Sequence, residues 1–301
     1  MENKKKDFKA GFVAIIGRPN VGKSTLLNQL VGEKITITSV LPQTTRNIIR
    51  GIVTFEEAQI IFLDTPGIVE LNQVKTFIDR ELIREALKSL EGVDITVFMI
   101  TPSLPTSEDR FILDNLKKIK KPSFLVINKI DKIKVPDLNS IREEYNSLFP
   151  FTKIIPISAK KGTNFSILMG EIINYLPPHP PYYSSDFITD QPERLLVAEL
   201  IREKIFTFTK QEVPYSVMIK VDEFEERKKN LIYIHATIFT EHSSQKGILV
   251  GKSGKMIKKI GEAARLEVEK RLGCQVYLDL WISVKKNWRH HKGSLKEIEY
   301  R

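Results

Sequence analysis

Two stretches of the chain contain Gly-Lys-Ser, the tripeptide that ends a phosphate-binding loop. The first, GRPNVGKS at residues 17–24, fits the pattern G-x-x-x-x-G-K-[ST] and stands between an apolar run and a helical one. Gly17 and Gly22 allow a tight backbone whose N–H groups surround phosphates. Lys23 is expected to reach the β- and γ-phosphates, and the Ser24 hydroxyl to ligate Mg²⁺. This spacing predicts a nucleotide-binding loop.

The sequence DTPG at residues 64–67 ends a later apolar run, at the position where strands of an open α/β sheet present ligands. Asp64 is expected to hold Mg²⁺ through a water molecule, and the N–H of Gly67 to meet the γ-phosphate. D-T-P-G can also form a plain β-turn, but its place after a strand favours the nucleotide site.

A threonine pair lies in LPQTTRN at residues 41–47, between the first helix and the DTPG strand. One hydroxyl would complete the Mg²⁺ shell while the γ-phosphate is present and leave it after hydrolysis, an order–disorder switch. We assign that role to Thr45 rather than Thr44 from comparison with related motifs; the alternative is a solvated Ser/Thr turn. The predicted catalytic residues are Lys23, Thr45, Asp64 and Gly67, with Ser24, Thr45 and Asp64 holding Mg²⁺.

The sequence NKID at residues 128–131 ends a further strand and indicates which base the site takes. The Asp131 carboxylate can accept both the N1–H and the 2-amino group of guanine. Adenine lacks both donors and would leave that carboxylate unpaired, which discriminates strongly between the two bases. Asn128 is expected to reach the other face of the base, and the stem of Lys129 to cover the ring.

The sequence SAK at residues 158–160 follows the last strand, where the N–H of Ala159 can meet the guanine O6. Four motifs in this order, each at the carboxyl end of a strand, predict a guanine-nucleotide site. The predicted nucleotide contacts are Gly17, Arg18, Pro19, Asn20, Val21, Gly22, Lys23, Ser24, Thr25, Asp64, Thr65, Pro66, Gly67, Asn128, Lys129, Asp131, Ser158, Ala159 and Lys160.

Ile68 stands where many GTPases carry a glutamine that orients the attacking water. Its side chain cannot hydrogen-bond water, so intrinsic hydrolysis is expected to be slow or to need another group, an ion or a partner. Asn20, inside the phosphate loop, resembles a position that coordinates K⁺ in some GTPases. We therefore treat Asn20 as a candidate K⁺ ligand.

The second Gly-Lys-Ser, within GILVGKSGK at residues 247–255, fails the phosphate-loop pattern by one residue. Three residues separate Gly247 from Gly251 where the pattern needs four, so Lys246 stands in place of the first glycine. What fits instead is GKSG at residues 251–254, a G-x-x-G turn with a basic insert. KH modules hold the backbone of single-stranded RNA with such a turn. A second nucleotide site is not expected.

Charge and periodicity around this turn favour an RNA clamp over a plain helix–helix turn. Residues 246–259 hold five lysines and no acid, and an apolar stripe follows in helical spacing. The stripe consists of Ile257, Ile260, Ala264 and Val268. The predicted RNA contacts are Gly251, Lys252, Ser253, Gly254, Lys255 and Lys258.

Short apolar runs alternate with helical patterns through residue 176. This order predicts an α/β P-loop GTPase domain with a mostly parallel, six-stranded sheet. Only Glu56 and Glu57 separate the second and third runs, too few for a crossover, so that pair is expected to form an antiparallel hairpin. Strands are expected at 11–16, 48–55, 58–64, 94–100, 123–128 and 153–158, and helices at 23–31, 76–91, 107–120, 137–148 and 164–175.

A proline-rich stretch, LPPHPPYY at residues 176–183, stiffens the chain and marks a domain boundary. We assign residues 1–178 to a GTP-binding domain, 179–185 to a linker and 186–301 to an α+β domain with the G-x-x-G turn. That domain is expected to contain a helix at 193–209, strands at 213–222 and 230–240, a glycine-punctuated turn, a helix at 253–272 and a strand at 275–285. The acid-bearing residues 222–230 are expected at a hairpin tip.

Composition narrows the classes of partner and the compartment. The chain has 301 residues, and 47 Lys and Arg against 37 Asp and Glu give a net charge of +10, which suggests a polyanionic partner. Its single cysteine, Cys274, excludes an intrachain disulfide and favours the cytosol. No apolar stretch is long enough to span a bilayer, and the N-terminal residues lack the apolar region of a secretory signal.

The GTPase motifs followed by GKSG resemble the bacterial Era GTPases of the TrmE-Era-EngA-like superfamily. The resemblance extends over nearly the whole chain, including DFITDQPERLLVAELIREKIF at 186–206, EVPYS at 212–216 and LDLWISVKKNW at 278–288. It implies a type II KH domain that binds near the 3′ end of 16S rRNA during assembly of the 30S subunit, with GTP controlling the RNA-bound state. It also implies a monomeric, cytoplasmic protein with peripheral association at the inner membrane.

Three alternatives remain open. Another rRNA- or tRNA-directed GTPase would use the KH domain on a different RNA. A membrane-associated regulatory GTPase would use the basic patch on anionic lipid, although such a site needs only charge and an apolar face, not a G-x-x-G turn. An ATP-using enzyme would bind ATP in competition with GTP.

Overall fold

The computed structural model describes residues 7–38, 45–133, 135–210 and 212–291, together with residue 293. The chain divides into two compact units. The first continues to Asp190, and the second consists mainly of the residues that begin at Gln191. Each unit has its own buried apolar core. Thr44, the alternative to Thr45, lies outside the described residues.

A six-stranded sheet in the order β2-β3-β1-β4-β5-β6 forms the centre of the first unit. All neighbouring pairs are parallel except β2 with β3, which is antiparallel, so the predicted sheet and its one hairpin strand are confirmed. Its strands are β1 (Lys9–Ile16), β2 (Ile49–Thr54), β3 (Ala58–Asp64), β4 (Ile95–Ile100), β5 (Ser123–Ile127) and β6 (Lys153–Pro156). Strands β3, β4 and β5 are buried along their whole length, which explains their continuous apolar sequences.

Among the residues that the structure describes, four helices connect these strands: α1 (Lys23–Val31), α2 (Phe77–Lys88), α3 (Ser107–Leu116) and α4 (Val135–Leu148). A further helix, α5 (Phe165–Tyr175), follows β6. Helix α1 has the predicted bounds. Helix α3 ends earlier than predicted because the residues after Leu116 form tighter turns ahead of Pro122. Within the described part of the chain, no helix is long and apolar enough to cross a membrane.

The sheet brings the four predicted nucleotide motifs to one edge. The motifs follow β1, β3, β5 and β6, and the carboxyl ends of parallel strands lie on the same side of a sheet. Apolar side chains such as Phe98, Phe124 and Ile100 are fully buried behind this edge. Full burial of one such side chain stabilises the folded state by about 1.5–3 kcal/mol. The motifs at this edge are therefore supported by a tightly packed core.

The segment predicted as a linker, residues 179–185, lies against the first unit. The buried side chain of Gln59 donates to the carbonyl oxygen of Tyr183 at 2.8 Å and accepts from the N–H groups of Tyr182 and Tyr183 at 2.7 and 3.0 Å. The boundary therefore falls after Asp190, later than the proline-rich stretch, because these hydrogen bonds hold the segment on the sheet.

The second unit contains a three-stranded sheet in the order β7-β8-β9, antiparallel between β7 and β8 and parallel between β8 and β9. Its elements are α6 (Glu193–Phe208), β7 (Met218–Lys228), β8 (Leu231–Thr240), α7 (Ser243–Val250), α8 (Lys255–Leu272) and β9 (Gln275–Val284). Residues Ile234, Ala236 and Ile238 of β8 pack with Ile260, Ala264 and Val268 of α8 in the core. The predicted stripe of α8 is thereby buried, with Ile257 packed at its margin.

The predicted strand at 213–222 and the predicted tip at 222–230 are wrong in position. Residues Val213–Tyr215 form a single tight turn, because Pro214 lacks an N–H to pair in a sheet. Strand β7 instead extends through the acid-bearing residues to Lys228, with bulges in its pairing to β8. The hairpin turn is only Lys229 and Asn230, and Asn230 has a positive φ of 70°, which asparagine tolerates at the second central position of a turn.

The glycine-punctuated turn expected after β8 is preceded by a short helix, α7. The side chain of Gln245 accepts from the N–H groups of Glu241 and His242, both at 3.0 Å, and so caps the start of this helix. The apolar residues at 248–250 form its last turn. The G-x-x-G turn at 251–254 then separates α7 from α8.

Candidate functional site

The predicted phosphate loop occupies the turn between β1 and α1. A methyl group placed on Gly17 would collide with the backbone carbonyl oxygen of Met99, so only glycine fits there. Gly22 has a left-handed φ of 106° and accepts the first helical hydrogen bond, from the N–H of Leu26 at 2.9 Å. The turn brings main chain close to the sheet edge and opens helix α1, the arrangement that binds phosphate.

Lys23 points back into this loop. Its ammonium donates to the carbonyl oxygens of Gly17 at 3.1 Å and Arg18 at 3.0 Å, and the side chain is buried. Burial lowers the pKa of Lys23 to about 8, against the opposing effect of the Asp64 carboxylate. A phosphate beside this ammonium would supply the compensating negative charge.

The three predicted Mg²⁺ ligands converge. The Ser24 hydroxyl donates to the Asp64 carboxylate at 2.7 Å and lies 3.0 Å from the Thr45 hydroxyl. Mg²⁺ prefers oxygen ligands and is usually held by few protein groups, with waters and phosphates completing the shell. Two hydroxyls and one carboxylate at these distances fit that requirement, so these residues would hold Mg²⁺ next to the phosphate loop.

Two residues beside this cluster were missed in the sequence. The Thr36 hydroxyl donates to the Asp64 carboxylate at 3.3 Å. The Asn28 side chain in turn accepts from the N–H groups of Ile35 and Thr36 at 2.9 and 3.0 Å and donates to the Thr36 carbonyl oxygen at 2.8 Å. Helix α1 thus positions Thr36 against Asp64. Neither residue lies in a motif that could have identified it.

A second missed group anchors the side chain of Arg18. Its guanidinium donates to the fully buried Asp109 carboxylate at 2.9 Å, and Tyr145 donates to the same carboxylate at 2.9 Å. Burial and the adjacent Asp109 raise the pKa of Tyr145, so its hydroxyl remains a donor. The pattern T-x-x-D at Thr106–Asp109 signals a helix cap, but nothing in the sequence links Asp109 to Arg18.

The DTPG motif closes one side of the phosphate loop. The Thr65 hydroxyl donates to the Ile15 carbonyl oxygen at 2.9 Å, which ties the end of β3 to β1; Pro66, next in the chain, is buried. Gly67 lies against Pro19, where a Cβ would be only 2.8 Å from the Pro19 nitrogen. Ile68 donates its N–H to the Gly17 carbonyl oxygen at 3.1 Å, and its side chain is fully buried in the core.

On the base side, Asn128 joins two loops. Its amide donates to the Val21 carbonyl oxygen and accepts from the N–H of Ala159, both at 2.8 Å. The N–H of Ala159 was expected to meet guanine O6, but here it donates to Asn128. The side chain of Asn128 therefore positions the phosphate loop and the SAK loop in addition to lying next to the base site.

Asp131 is exposed and oriented by Ser158, whose hydroxyl donates to it at 2.7 Å. This hydrogen bond lowers the pKa of Asp131, which keeps the carboxylate an acceptor for guanine. The Lys129 ammonium donates to the Asn20 carbonyl oxygen at 2.7 Å, so its stem spans from the base motif to the phosphate loop. Lys160 lies exposed in the following turn.

The remaining predicted residues also lie at this edge. Thr25 is half-buried in the first turn of α1, after Ser24. Asn20 is exposed at a left-handed φ of 63°, unusual for a residue other than glycine. Such a conformation often marks a functional loop.

The predicted RNA clamp forms a separate exposed turn in the second unit. Gly251 has φ 68° and ψ 179°, and a Cβ there would be 2.7 Å from the Cβ of Met256. Ser253 also has a positive φ, of 53°. The side chains of Lys252, Lys255 and Lys258 are exposed around this turn. Main chain and ammonium groups are therefore available together to a phosphate backbone.

Comparison with known proteins covers both units. A family model described as 50S ribosome-binding GTPase matches residues 12–129, and a KH domain model matches residues 212–289. GTPase Era of Halothermothrix orenii is 46% identical over 98% of this chain and 99% of its own length. GTPase Era of Lactobacillus helveticus is 47% identical over 98% and 97%.

Two solved structures agree with this similarity. Era in complex with MgGDPNP and nucleotides 1506–1542 of 16S ribosomal RNA is 41% identical, with a TM-score of 0.93 over 97% of this chain and 99% of the other. An Aquifex aeolicus Era variant bound to GDP and AlF4⁻ is 40% identical, with a TM-score of 0.92 over the same shares.

Fold and site together define a P-loop GTPase domain followed by a KH domain. With close to half of its residues identical to curated relatives along nearly the full length, the chain belongs to the Era GTPase family. It is therefore a GTP-hydrolysing enzyme with a KH domain, as the motifs predicted.

The lowered pKa of Lys23 predicts a pH-dependent affinity for nucleotide. Phosphate favours the charged ammonium, so GDP binding should take up a proton at Lys23 once the pH exceeds about 8, and affinity should fall by up to about tenfold per further pH unit. Calorimetry at about pH 8.5 in two buffers of different ionisation enthalpy measures this uptake. Lys129→Ala should retain it, whereas GDP binding by the unmodified chain without proton uptake would contradict the assignment.

Proposed function

We propose that this protein binds 16S rRNA through its KH domain and acts as a GTP-dependent switch in assembly of the small ribosomal subunit. The observation that carries the proposal is one chain that joins a guanine-type site at Asp131 to an exposed basic turn at Gly251–Gly254. The solved Era relative that holds both MgGDPNP and a 16S rRNA fragment supports it.

Hydrolysis requires stabilisation of the negative charge that develops on the transferred phosphoryl group. Lys23 and the N–H of Gly67, which border the phosphate loop, would act on that charge, and Mg²⁺ would supply further positive charge when bound. Ile68 is buried in the core and presents no polar atom to an attacking water. Turnover by this chain alone is therefore expected to be slow, which suits a switch that waits for a signal.

Contacts of strand β2 would transmit a change of nucleotide state to residues 188–190, the segment that leads into the second unit. Thr45, next to Ser24, is followed closely in the chain by strand β2. In that strand the N–H of Ile52 donates to the Ile188 carbonyl oxygen at 2.9 Å, and Arg50 pairs with Asp190 at 2.6 Å. A movement of Thr45 after hydrolysis would reach residues 188–190 through β2.

We extend the proposal to K⁺ at Asn20, where an added positive charge would act as an arginine finger does in other GTPases. Phosphate release from GTP should then be several-fold faster in K⁺ than in Na⁺ buffer. Asn20→Gly, which tolerates the left-handed φ, should lose this difference and still bind GDP. Equal turnover of the unmodified chain in the two salts would exclude the K⁺ site.

The RNA clamp predicts a specific loss of phosphate contacts. Lys252→Ala and Lys255→Ala should each weaken binding of the 16S rRNA fragment 1506–1542 and reduce the slope of log K against log salt by about 0.7. Fluorescence anisotropy across a salt series measures both quantities. Lys229→Ala removes another exposed lysine, in the β7–β8 turn, and should leave the slope unchanged.

The same variants separate the proposal from its alternatives. Anionic vesicles replace the RNA in a parallel series. If Lys252→Ala and Lys255→Ala both bind RNA as the unmodified chain does, the G-x-x-G turn is not the clamp. If the chain binds vesicles but no RNA, the membrane-associated alternative is correct.

A further inference from the structure

The sheet of the second unit has one buried face and one that carries aromatic rings. On β8, Ile234 and its buried neighbours at every second position face the helices, which leaves Tyr233 on the opposite face. On β9, Tyr277 and Trp281 share that outer face and are 64% and 62% exposed. Exposed aromatic side chains that share one face, rather than being scattered singly, are typical of an interaction surface.

Two of these rings, Tyr233 and Tyr277, form a stack across the sheet, and the guanidinium of Arg227 on β7 extends it. The Arg227 guanidinium lies 3.6 Å from the centre of the Tyr233 ring, and that ring stacks on Tyr277 with centroids 5.7 Å apart and planes 20° from parallel. Strand β9 is the last strand of this sheet in the described part of the chain. The stack therefore ends at Tyr277, on an edge where a further flat ring can be added.

Trp281 continues the outer face towards the clamp. It lies four residues after Tyr277 on the same strand, so the two side chains are roughly 13 Å apart at about 3.3 Å per residue. The Lys246 ammonium of α7 lies 5.7 Å from its ring centre. Helix α7 leads directly into the G-x-x-G turn, so one helix joins the clamp to this aromatic face.

Charge is distributed unevenly over the outer face. On the β7 side, Glu223 and Glu225 lie beside β8 in the pairing register, and Arg227 of the same strand lies over Tyr233. On the β9 side, Asp279 lies between Tyr277 and Trp281 along the strand and pairs with His235 at 2.8 Å, while lysines at 246 and 285 lie over the rings of Trp281 and Phe239. The ammonium groups on this side therefore lie towards the Trp281 end of β9, where a polyanion would approach the exposed ring.

We propose that the outer face of β9 is a base-stacking platform on which Tyr277 and Trp281 each take an unpaired RNA base after the backbone has left the G-x-x-G clamp. Exposed aromatic rings flanked by cations are the combination that proteins use to bind single-stranded nucleic acid without strict sequence preference. The inference rests on the RNA-binding function proposed above and adds a second contact surface to it.

A depression of about 650 Å³ borders the platform at the start of β9. Tyr277 lines it together with Gln275 and with Arg265 and Glu269, which form an ion pair at 2.9 Å. The Gln275 amide beside an exposed ring offers hydrogen bonds to the edge of a stacked base. Stabilisation of the sheet by a cross-strand pair explains the contact between Tyr233 and Tyr277, but it does not require the exposed ring of Trp281.

The first test measures affinity for the 16S rRNA fragment 1506–1542 by anisotropy. Tyr277→Ala and Trp281→Ala should each bind about tenfold more weakly, because stacking contributes at this level per base. Tyr277→Phe should bind like the unmodified chain, since stacking needs the ring and not the hydroxyl. Leu266→Ala is the matched control: Leu266 is 60% exposed on α8, away from this face, and should have no effect.

The second test measures the solvent exposure of the Trp281 ring directly. The chain has two tryptophans, and Trp288 is fully buried. The fluorescence that the unmodified chain has and the Trp281→Phe variant lacks therefore comes from Trp281. Quenching of this fluorescence by acrylamide should decrease when the RNA fragment binds. A role confined to stability of the sheet would not produce this protection.

Failure of the platform is distinguishable from failure of the RNA-binding function. If the Tyr277 and Trp281 alanine variants bind RNA normally while Lys252→Ala does not, the clamp stands and the platform is wrong. Unchanged quenching of Trp281 leads to the same conclusion. If the variants lose binding only to assembled small subunits, the face contacts a protein and the RNA platform is again wrong. If the unmodified chain binds no RNA, both proposals fail.

Discussion

The side-chain amide of Asn128 is the contact on which the nucleotide site depends. It joins the end of β5 to the phosphate loop at Val21 and to the loop after β6 at Ala159, with two hydrogen bonds of 2.8 Å in a buried environment. A side chain at Gly22 would collide with this amide, so the second glycine of the loop is required by packing as well as by conformation. Loss of either hydrogen bond would leave a buried polar group unsatisfied, at a cost of about 1–3 kcal/mol. Phosphate and base recognition are therefore held in one rigid arrangement.

The two Gly-Lys-Ser turns use the same physical device for different ligands. Each brings main chain to phosphate by adopting backbone conformations that side chains disfavour. Asn20 and Lys129 in the nucleotide site and Ser253 in the clamp have positive φ values although none is glycine. Each such residue costs of order 1–3 kcal/mol and persists only where the surrounding structure holds it. Strain is thus found in both predicted phosphate-binding turns.

The sequence predicted the sheet and the convergence of its motifs because both follow from local patterns. Apolar runs of strand length alternate with helical segments, and glycine spacing marks the turns between them. It did not reveal Asp109, Thr36 or Gln59, whose contacts join residues far apart in the chain and carry no local pattern. Strand β7 was misplaced because its acidic outer residues are typical of a loop. Their pairing with β8 nevertheless makes this segment a strand.

The central claim is that a carboxylate at Asp131, held by Ser158 on loops tied by Asn128, selects guanine. Competition against a fluorescent GDP analogue measures this directly. For the unmodified chain, GDP should compete and ATP should not. Asp131→Asn should weaken GDP binding by about a hundredfold or more, and xanthosine diphosphate should now compete better than GDP, because its 2-oxo group accepts from the new amide. Equal competition by ATP, or an Asp131→Asn variant that binds GDP normally, would contradict the account.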